Sequence, residues 1–328
     1  MKKLVLNIIS YCFIVLLLEF FIGCSGHNVK RSVPVEVMRF ELDVEGFSSL
    51  DSAEQDQFNL RYHPLLALFG QQCFSNDVCD SIMQTRIFVT FKDDVKAAFS
   101  NIDTLRNDLG EMKSNYETIF PDAKFPEIIT AILPYNQSVI GTDSAVVISL
   151  NHYLGAAHPM YECYEPYIRL EKEKRMIPVH VAELLVNNKM LEMLHNQCTT
   201  LLDFIISEGV RLKLEQMLLG SRDIEDLLGW NKQSTQWVEK NEQMLWNTLV
   251  SQDILYSSSS LVIGNMLRPG AYSPVFGTAC PSRIGAWIGV RIVEKYCKEK
   301  NRDFIDLYRE ILTTNSQTIL INSEYNGR

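Results

Sequence analysis

Cys24 is the residue with the most definite chemistry in this chain. It follows Phe21-Ile22-Gly23, behind Lys2-Lys3 and an apolar run from Leu4 to Leu18. A basic start, an apolar core, a small residue and then cysteine make a secretory signal that ends in a lipoprotein cleavage site. The thiol is the group that accepts diacylglycerol, and cleavage before it leaves a lipidated N-terminus. Acyl chains contribute about 0.8 kcal/mol per buried methylene, which holds a protein on a bilayer without crossing it. The rival reading is an uncleaved transmembrane anchor. Leu4 to Leu18 falls short of the roughly 20 apolar residues a span needs, and Glu19 follows it. The expected layout is a signal peptide over 1–23, a lipidated tether over 24–34 and a single domain over 35–328. That domain divides into a β-containing part, 35–155, and a helical part, 156–328.

Histidine and glutamate are the next candidates. A zinc peptidase needs two histidines at i, i+4, which put two imidazoles on one helical face, with glutamate as base. The histidines here are His27, His63, His152, His158, His180 and His195, and no HExxH occurs. His152 and His158 share a loop, and His180 faces Glu183 at i+3; solvated loop histidines and a helix-start residue account for them, and no metal is expected. Glu208 is the most interesting carboxylate. Leu201, Ile205, Glu208, Leu212, Glu215 and Leu219 fall on one helical stripe, so both glutamates sit among apolar neighbours. A buried carboxylate must be paired, hydrogen-bonded or protonated. Glu208 is thus either an acid/base, the one catalytic candidate in the chain, or half of an ion pair with Arg283 or Arg291. Serine nucleophile elbows, phosphate loops and dinucleotide fingerprints are absent, so no cofactor is expected.

The elements that must position these groups read as α+β. Alternation over Val35–Asp43 suggests a first strand, and Ile87–Phe91 a second. Phe58–Phe69 reads as helix interrupted by Pro64. Ile102, Leu105, Leu109, Met112, Tyr116 and Ile119 recur at helical spacing, with Ser100 and Asp103 as a weak cap and Pro121 as the stop. Ile128–Leu133 and Ala145–Leu150 read as strands separated by a turn over Asn136–Asp143. From Pro178 onward the pattern is helical, near 178–196, 199–219, 234–251, 283–300 and 302–314, with loops at Ser257–Ser260 and 268–282. Gly285 and Gly289 lie one turn apart, which suits close helix packing in a soluble core. Trp237 and Trp246 lie on opposite faces of their helix and read as core or interface anchors. The result is a small mixed sheet in the first half and a mostly helical second half.

The chain has 328 residues, 46% hydrophobic, and a formal charge of −9. Loss of Lys2, Lys3 and Glu19 with the signal makes the balance more negative still. Nucleic acid is therefore not an expected partner, since its phosphates need basic patches, and adsorption to anionic lipid is disfavoured. After Cys24 the cysteines are Cys73, Cys79, Cys163, Cys198, Cys280 and Cys297. An even set in an exported chain permits disulfides, and Cys73 with Cys79 is the expected pair, the bland alternative being buried free thiols.

Several patches, taken in order, resemble the gliding-motility-associated lipoprotein GldB family of Bacteroidetes. They are Ser149-Leu150-Asn151-His152-Tyr153-Leu154-Gly155, Tyr161, Pro166-Tyr167, Arg175 and Ile177-Pro178. They continue with Leu201-Leu202-Asp203, Glu208-Gly209, Trp237, Asn241-Glu242, Trp246, Ser282–Gly289 and Ile292-Val293. The resemblance covers nearly the whole chain. It implies an outer-membrane lipoprotein on the periplasmic face, partnered with other envelope or motility proteins and carrying palmitate on Cys24. It implies no established biochemistry. The absence of an acidic run after Cys24 is similar to lipoproteins kept on the inner face. The binding candidates are Asn151, His152, Tyr153, Gly155, Glu208, Glu242 and Arg283. An acidic residue is expected where this chain has Asn151, which puts any activity of that carboxylate in doubt. The family also has a distant look of zincin peptidases, a strand before a long helix with a glutamate on it. The readings are a binding lipoprotein first, and as an alternative a degenerate, metallopeptidase-like hydrolase with ligands such as Asp203 and Glu208. A glycan- or peptide-binding lipoprotein is a third.

Overall fold

The computed structural model describes residues 33–193, 198–220 and 222–328. Cys24, the signal and most of the tether lie outside the described residues, as does His195. Pro34 to Arg328 form one compact unit.

Four short strands build the sheet, β1 (Val37–Arg39), β2 (Glu127–Ala131), β3 (Val139–Gly141) and β4 (Ala145–Ser149), in the order β1-β2-β4-β3. β1, β2 and β4 run parallel, and β3 closes one edge antiparallel to β4. Every residue of β4 is buried. That is why its sequence is an unbroken apolar run instead of an alternating one, as in sheets covered on both faces.

Helices make up the rest. The first half carries α1 (Phe40–Asp43), α2 (Ser52–Phe69), α3 (Asn76–Gln84), α4 (Arg86–Ala98) and α5 (Asp103–Ile119). The second carries α6 (Pro166–Leu170), α7 (Ile177–Met193), α8 (Leu201–Leu218), α9 (Ile224–Leu227) and α10 (Lys232–Ser251). It ends with α11 (Ser260–Leu267), α12 (Ile284–Lys300), α13 (Phe304–Thr313) and α14 (Ser316–Ser323). A small mixed sheet with helices around and after it is the α+β class expected.

The differences from expectation have local causes. The strand expected over Val35–Asp43 stops at Arg39 because the next turn carries Glu41 back to the sheet. Its carboxylate takes Arg39 Nε at 2.7 Å and Thr130 Oγ1 of β2 at 2.8 Å. Ile87–Phe91 is helix, not strand. Thr85 caps it by accepting from Phe88 N at 3.4 Å, and Phe88, Phe91 and Val95 form its buried face at helical spacing. Asn136–Asp143 is not all turn, since it holds edge strand β3. No side chain caps α5 in the expected way; Asn101 Oδ1, not Ser100, takes Asp103 N at 2.7 Å. α2 runs straight through Pro64. The carbonyl of Leu60, which Pro64 cannot bond, meets His63 Nδ1 at 3.2 Å instead. Cys73 is exposed, Cys79 is buried on α3, and both are free thiols, so the expected disulfide is absent.

The tightest packing is the crossing of α8 and α12. A Cβ on Gly209 would fall 2.7 Å from Val290 N and closer still to the carbonyl of Gly289. A Cβ on Gly289 would fall 3.0 Å from Gly209 N and closer to the Ile205 carbonyl. The backbones touch, and only glycine on both helices allows it. Gly209→Ala and Gly289→Ala should each lose about 3 kcal/mol, since overpacking a rigid backbone contact leaves no room to relax. Gly46→Ala, whose Cβ meets nothing within 4 Å, should stay within about 0.5 kcal/mol of the parent. Urea midpoints at constant slope measure this; an unchanged midpoint for Gly289→Ala would mean the helices are not in backbone contact.

Candidate functional site

α8 is apolar almost all round and lies inside the protein. Leu201, Ile205, Val210, Leu212, Leu214 and Leu218 are all buried. The i, i+3, i+7 spacing of Glu208, Arg211 and Glu215 therefore carries three ionic side chains into an interior face. Arg211 resolves the resulting charge. Its Nε lies 3.2 and 3.1 Å from the two oxygens of Glu208, and Nη2 lies 2.7 Å from one of them, a forked contact. Nη1 bonds Glu215 and lies 3.7 Å from Glu183 of α7. Burial works against the charge of Arg211, but Glu215 and Glu208 outweigh it and hold the guanidinium protonated. Glu215 is the most enclosed carboxylate of the group. Burial pushes its pKa up to about 7, with Arg211 opposing.

A second chain of contacts reaches the same place from the sheet. Tyr153 is fully buried, and its hydroxyl lies 2.7 Å from His180 Nδ1 on α7. His180 Nε2 lies 3.0 Å from Glu171. With the tyrosine donating, the imidazole carries its proton on Nε2 and gives it to the carboxylate. Burial pushes the Tyr153 hydroxyl up, so it stays a donor. Burial works to raise Glu171, but the His180 hydrogen bond and charge together with Arg283 and Arg175 outweigh it, and the carboxyl lies below its ordinary value.

The third contribution is Arg283, just before α12. Its backbone is left-handed, with φ 63°. Its Nη1 donates to the Leu227 carbonyl at 2.8 Å. Among the described residues no carboxylate comes within ion-pair distance of it. Burial and nearby Arg211 lower its pKa. All of these groups but Tyr153, which reaches it through His180, line one cleft of about 470 Å³, walled on its apolar side by Met176, Val179, Leu227 and Leu267. A second cavity of about 400 Å³ shares Glu171, Met176 and Pro269 with it and extends past Trp230.

The structure thus brings Tyr153, Glu208 and Arg283 together and leaves the other candidates elsewhere. Asn151 is buried and structural. Its Oδ1 accepts from Leu133 N at 3.2 Å and Ser149 Oγ at 2.8 Å, while Nδ2 donates to the Leu133 carbonyl at 3.2 Å. His152 has Nε2 at 2.9 Å from the Tyr135 carbonyl and Nδ1 at 3.2 Å from Lys172 Nζ. Burial, then Lys172, lowers its pKa, and it stays neutral. Gly155 turns the chain at φ 100°. Glu242 bonds Arg291 at 3.1 Å and Tyr325 at 2.9 Å, which ties the C-terminal end to α10 and α12; it does not line the cleft. Glu208 is paired as expected but part-exposed, and its ion-pair partner is Arg211, not Arg283 or Arg291. Arg211 and Glu171 were not legible as site residues. The Glu208-x-x-Arg211-x-x-x-Glu215 spacing was the signal for the first.

His152 and His158 do not converge, because His158 Nε2 lies 3.2 Å from Asp94. Among the described residues no group of three or more His, Cys, Asp or Glu is arranged to hold a metal ion. In the cleft both carboxylate oxygens of Glu208 face the Arg211 fork.

A family model described as Gliding motility protein GldB matches residues 26–327. The chain belongs to that family. No curated protein and no solved structure matches it.

Two outcomes follow from this geometry. Because Glu215 titrates near 7 in the fold against an ordinary 4.5, the folded state holds a proton that the unfolded chain has released. Its contribution to stability is complete below about pH 4.5 and lost as pH rises through about 7. The unfolding free energy of wild type minus that of Glu215→Gln should fall across this window, with Arg211, Arg283, Glu183 and Glu208 unchanged. A flat difference would show Glu215 ionised throughout. Asn151→Asp should lose about 1–3 kcal/mol in thermal unfolding, because the Leu133 carbonyl is left buried without its donor; an unchanged midpoint would discount that contact.

Proposed function

We propose that this protein is a lipid-anchored lipoprotein of the gliding-motility machinery, carried on the outer membrane with its folded body toward the periplasm. It acts there by binding other envelope or motility proteins. The observation that carries this reading is the family match over residues 26–327, together with the cysteine of Phe21-Ile22-Gly23-Cys24. Among the described residues no helix is long and apolar enough to cross a membrane; the attachment this reading uses is the diacylglyceryl group on Cys24. The negative balance of −9 agrees with an anchor made of lipid and not of basic side chains.

Binding is favoured over hydrolysis by the state of Glu208. A general base must reach the proton it takes, and a forked ion pair holds a carboxylate turned toward its arginine. Both oxygens of Glu208 face Arg211 within 3.2 Å. The pairing favours a structural role for Glu208, and Glu208→Gln should keep the fold. Metal-dependent peptide cleavage by the purified chain, lost in Glu208→Gln, would replace this reading with the hydrolase.

Cys24→Ser tests the anchor. The variant should accumulate as uncleaved precursor and take up no labelled palmitate, because the thiol is the acyl acceptor. Normal labelling of the variant would remove lipidation at Cys24. Crosslinking in intact envelopes should capture envelope or motility proteins with the wild type, and recovery of the chain alone would count against the binding role.

A further inference from the structure

Arg283 breaks two rules at one position. A side chain at φ 63° strains the backbone, which glycine would avoid. A guanidinium drawn out of water costs more again when the carboxylates around it stand beyond ion-pair distance. Arg211, buried on the neighbouring helix where Arg283 is part-exposed, shows what a structural arginine does here, because it is bonded to Glu208 and Glu215. Arg283 has the Leu227 carbonyl on Nη1 and no carboxylate within ion-pair distance among the described residues. That single bond tethers one end of the guanidinium, and the side chain lines the cleft. It also stands at the N-terminus of a 17-residue helix, where the backbone adds positive potential. Violations of this kind persist where something outside the fold completes the site.

The same cleft also carries open carboxylates. The Glu183 side chain is 48% exposed and touches Arg211 only at 3.7 Å. Glu171 is 41% exposed and gives one oxygen to His180. The charged lining comprises Glu171, Glu183, Glu208 and Glu215 against Arg211, Arg268 and Arg283, which is close to balance. A phosphate or a dicarboxylate would meet those glutamates, and a polyamine would meet Arg283. A small molecule that is neutral overall, with both charges present and separated, satisfies both. The volume of about 470 Å³ and the apolar wall of Met176, Leu227 and Leu267 leave room for a side chain beyond the charged groups.

We propose that this cleft binds a zwitterionic amino-carboxylate, its carboxylate on Arg283 and its ammonium on Glu183 and Glu171. Planar, forked pairing with a carboxylate is the recognition for which arginine is suited. Two sources offer this chemistry. One is a free α-amino acid. The other is the amino-carboxylate end of a diamino-dicarboxylic residue within a peptide, whose remaining chain has space in the adjoining cavity past Trp230. The site stands on the cleft geometry alone and does not depend on the lipid anchor or on protein partners, so its failure would leave those readings intact.

Isothermal titration of the purified full chain in detergent tests it. The probes are a panel of free α-amino acids, a tripeptide containing meso-diaminopimelate, and the same compounds with the amine acetylated or the carboxylate amidated. Binding by at least one unblocked probe at about 1 mM or tighter is expected, with both blocked forms weaker by roughly tenfold or more. Binding by the free amino acids identifies the first source; binding by the tripeptide alone identifies the second. Arg283→Lys keeps the charge and removes the fork. Glu183→Gln removes an exposed carboxylate with little risk to folding. Each should weaken binding by roughly tenfold or more with an unchanged circular dichroism spectrum. No heat from any probe at about 10 mM, equal binding of the blocked forms, or unaltered binding by Glu183→Gln would overturn the proposal. The comparison of blocked and unblocked probes on wild type decides the matter if Arg283→Lys does not fold.

Discussion

The backbone contact between α8 and α12 is the constraint on which the second half of this protein depends. Gly209 and Gly289 let two long helices meet without side chains between them. Helices normally pack with 8–10 Å between axes, set by interposed side chains. Two facing glycines remove that spacer. The consequence reaches the cleft directly. Glu208 precedes Gly209, Arg211 follows it by half a turn, and Arg283 stands at the start of the helix that carries Gly289. Burial depresses the pKa of Arg283, and the crossing brings Arg211 near enough to add to it. Like charges so placed are tolerated because Arg211 is already matched by Glu208 and Glu215.

The same contact explains why an interior this apolar holds so many ions. Burying a pair costs several kcal/mol of desolvation per ion, and geometry must return it. The Arg211 fork does so through four close contacts on its own helix and one on α7. Removing Arg211 would strand Glu208 and the buried Glu215. The cluster therefore joins α7 to α8 in one register, while the glycine crossing joins α8 to α12. The Tyr153–His180–Glu171 chain then attaches α7 to the end of the sheet. The cleft is what remains between these three links, so its shape is set by the fold's own fastenings and not by a mobile loop.

Much of this was legible in the residues. Helical spacing over 102–119, and near 178–196, 199–219, 234–251 and 283–300, was strong because each segment is long and its buried stripe repeats several times. β2 and β4 were legible as short apolar runs bounded by turn formers. The Gly285 and Gly289 spacing pointed to close packing, though not to Gly209 as the other half, since a contact between chain segments some 80 residues apart leaves no periodic mark. Ile87–Phe91 misled because a short run of β-branched and aromatic residues carries no period of its own; Val95, beyond the run, supplies the helical one. Val35–Asp43 misled because its end is decided by Glu41 reaching Thr130, a contact 89 residues away. At the site, Glu208 stood out as a carboxylate on an apolar stripe, but its partner was assigned to a distant helix when Arg211 was three residues on. Arg283 was legible as a charged residue in a family-like patch, and its left-handed backbone was not.

Asn151 shows how a departure from an expected motif can leave the chemistry untouched. An aspartate there would accept from Leu133 N and Ser149 Oγ as the asparagine does, but would have nothing to give the Leu133 carbonyl. The amide closes both halves of that exchange and fastens the turn after β4 to the turn after β2. Two residues further on, Tyr153 enters the interior and meets His180. The role of position 151 in this chain is thus to hold Tyr153 in place, and the cleft receives its contact from the sheet through the tyrosine. The groups left open for recognition are Glu171, Glu183 and Arg283, drawn from three separate stretches of the chain. Only the fold makes them neighbours.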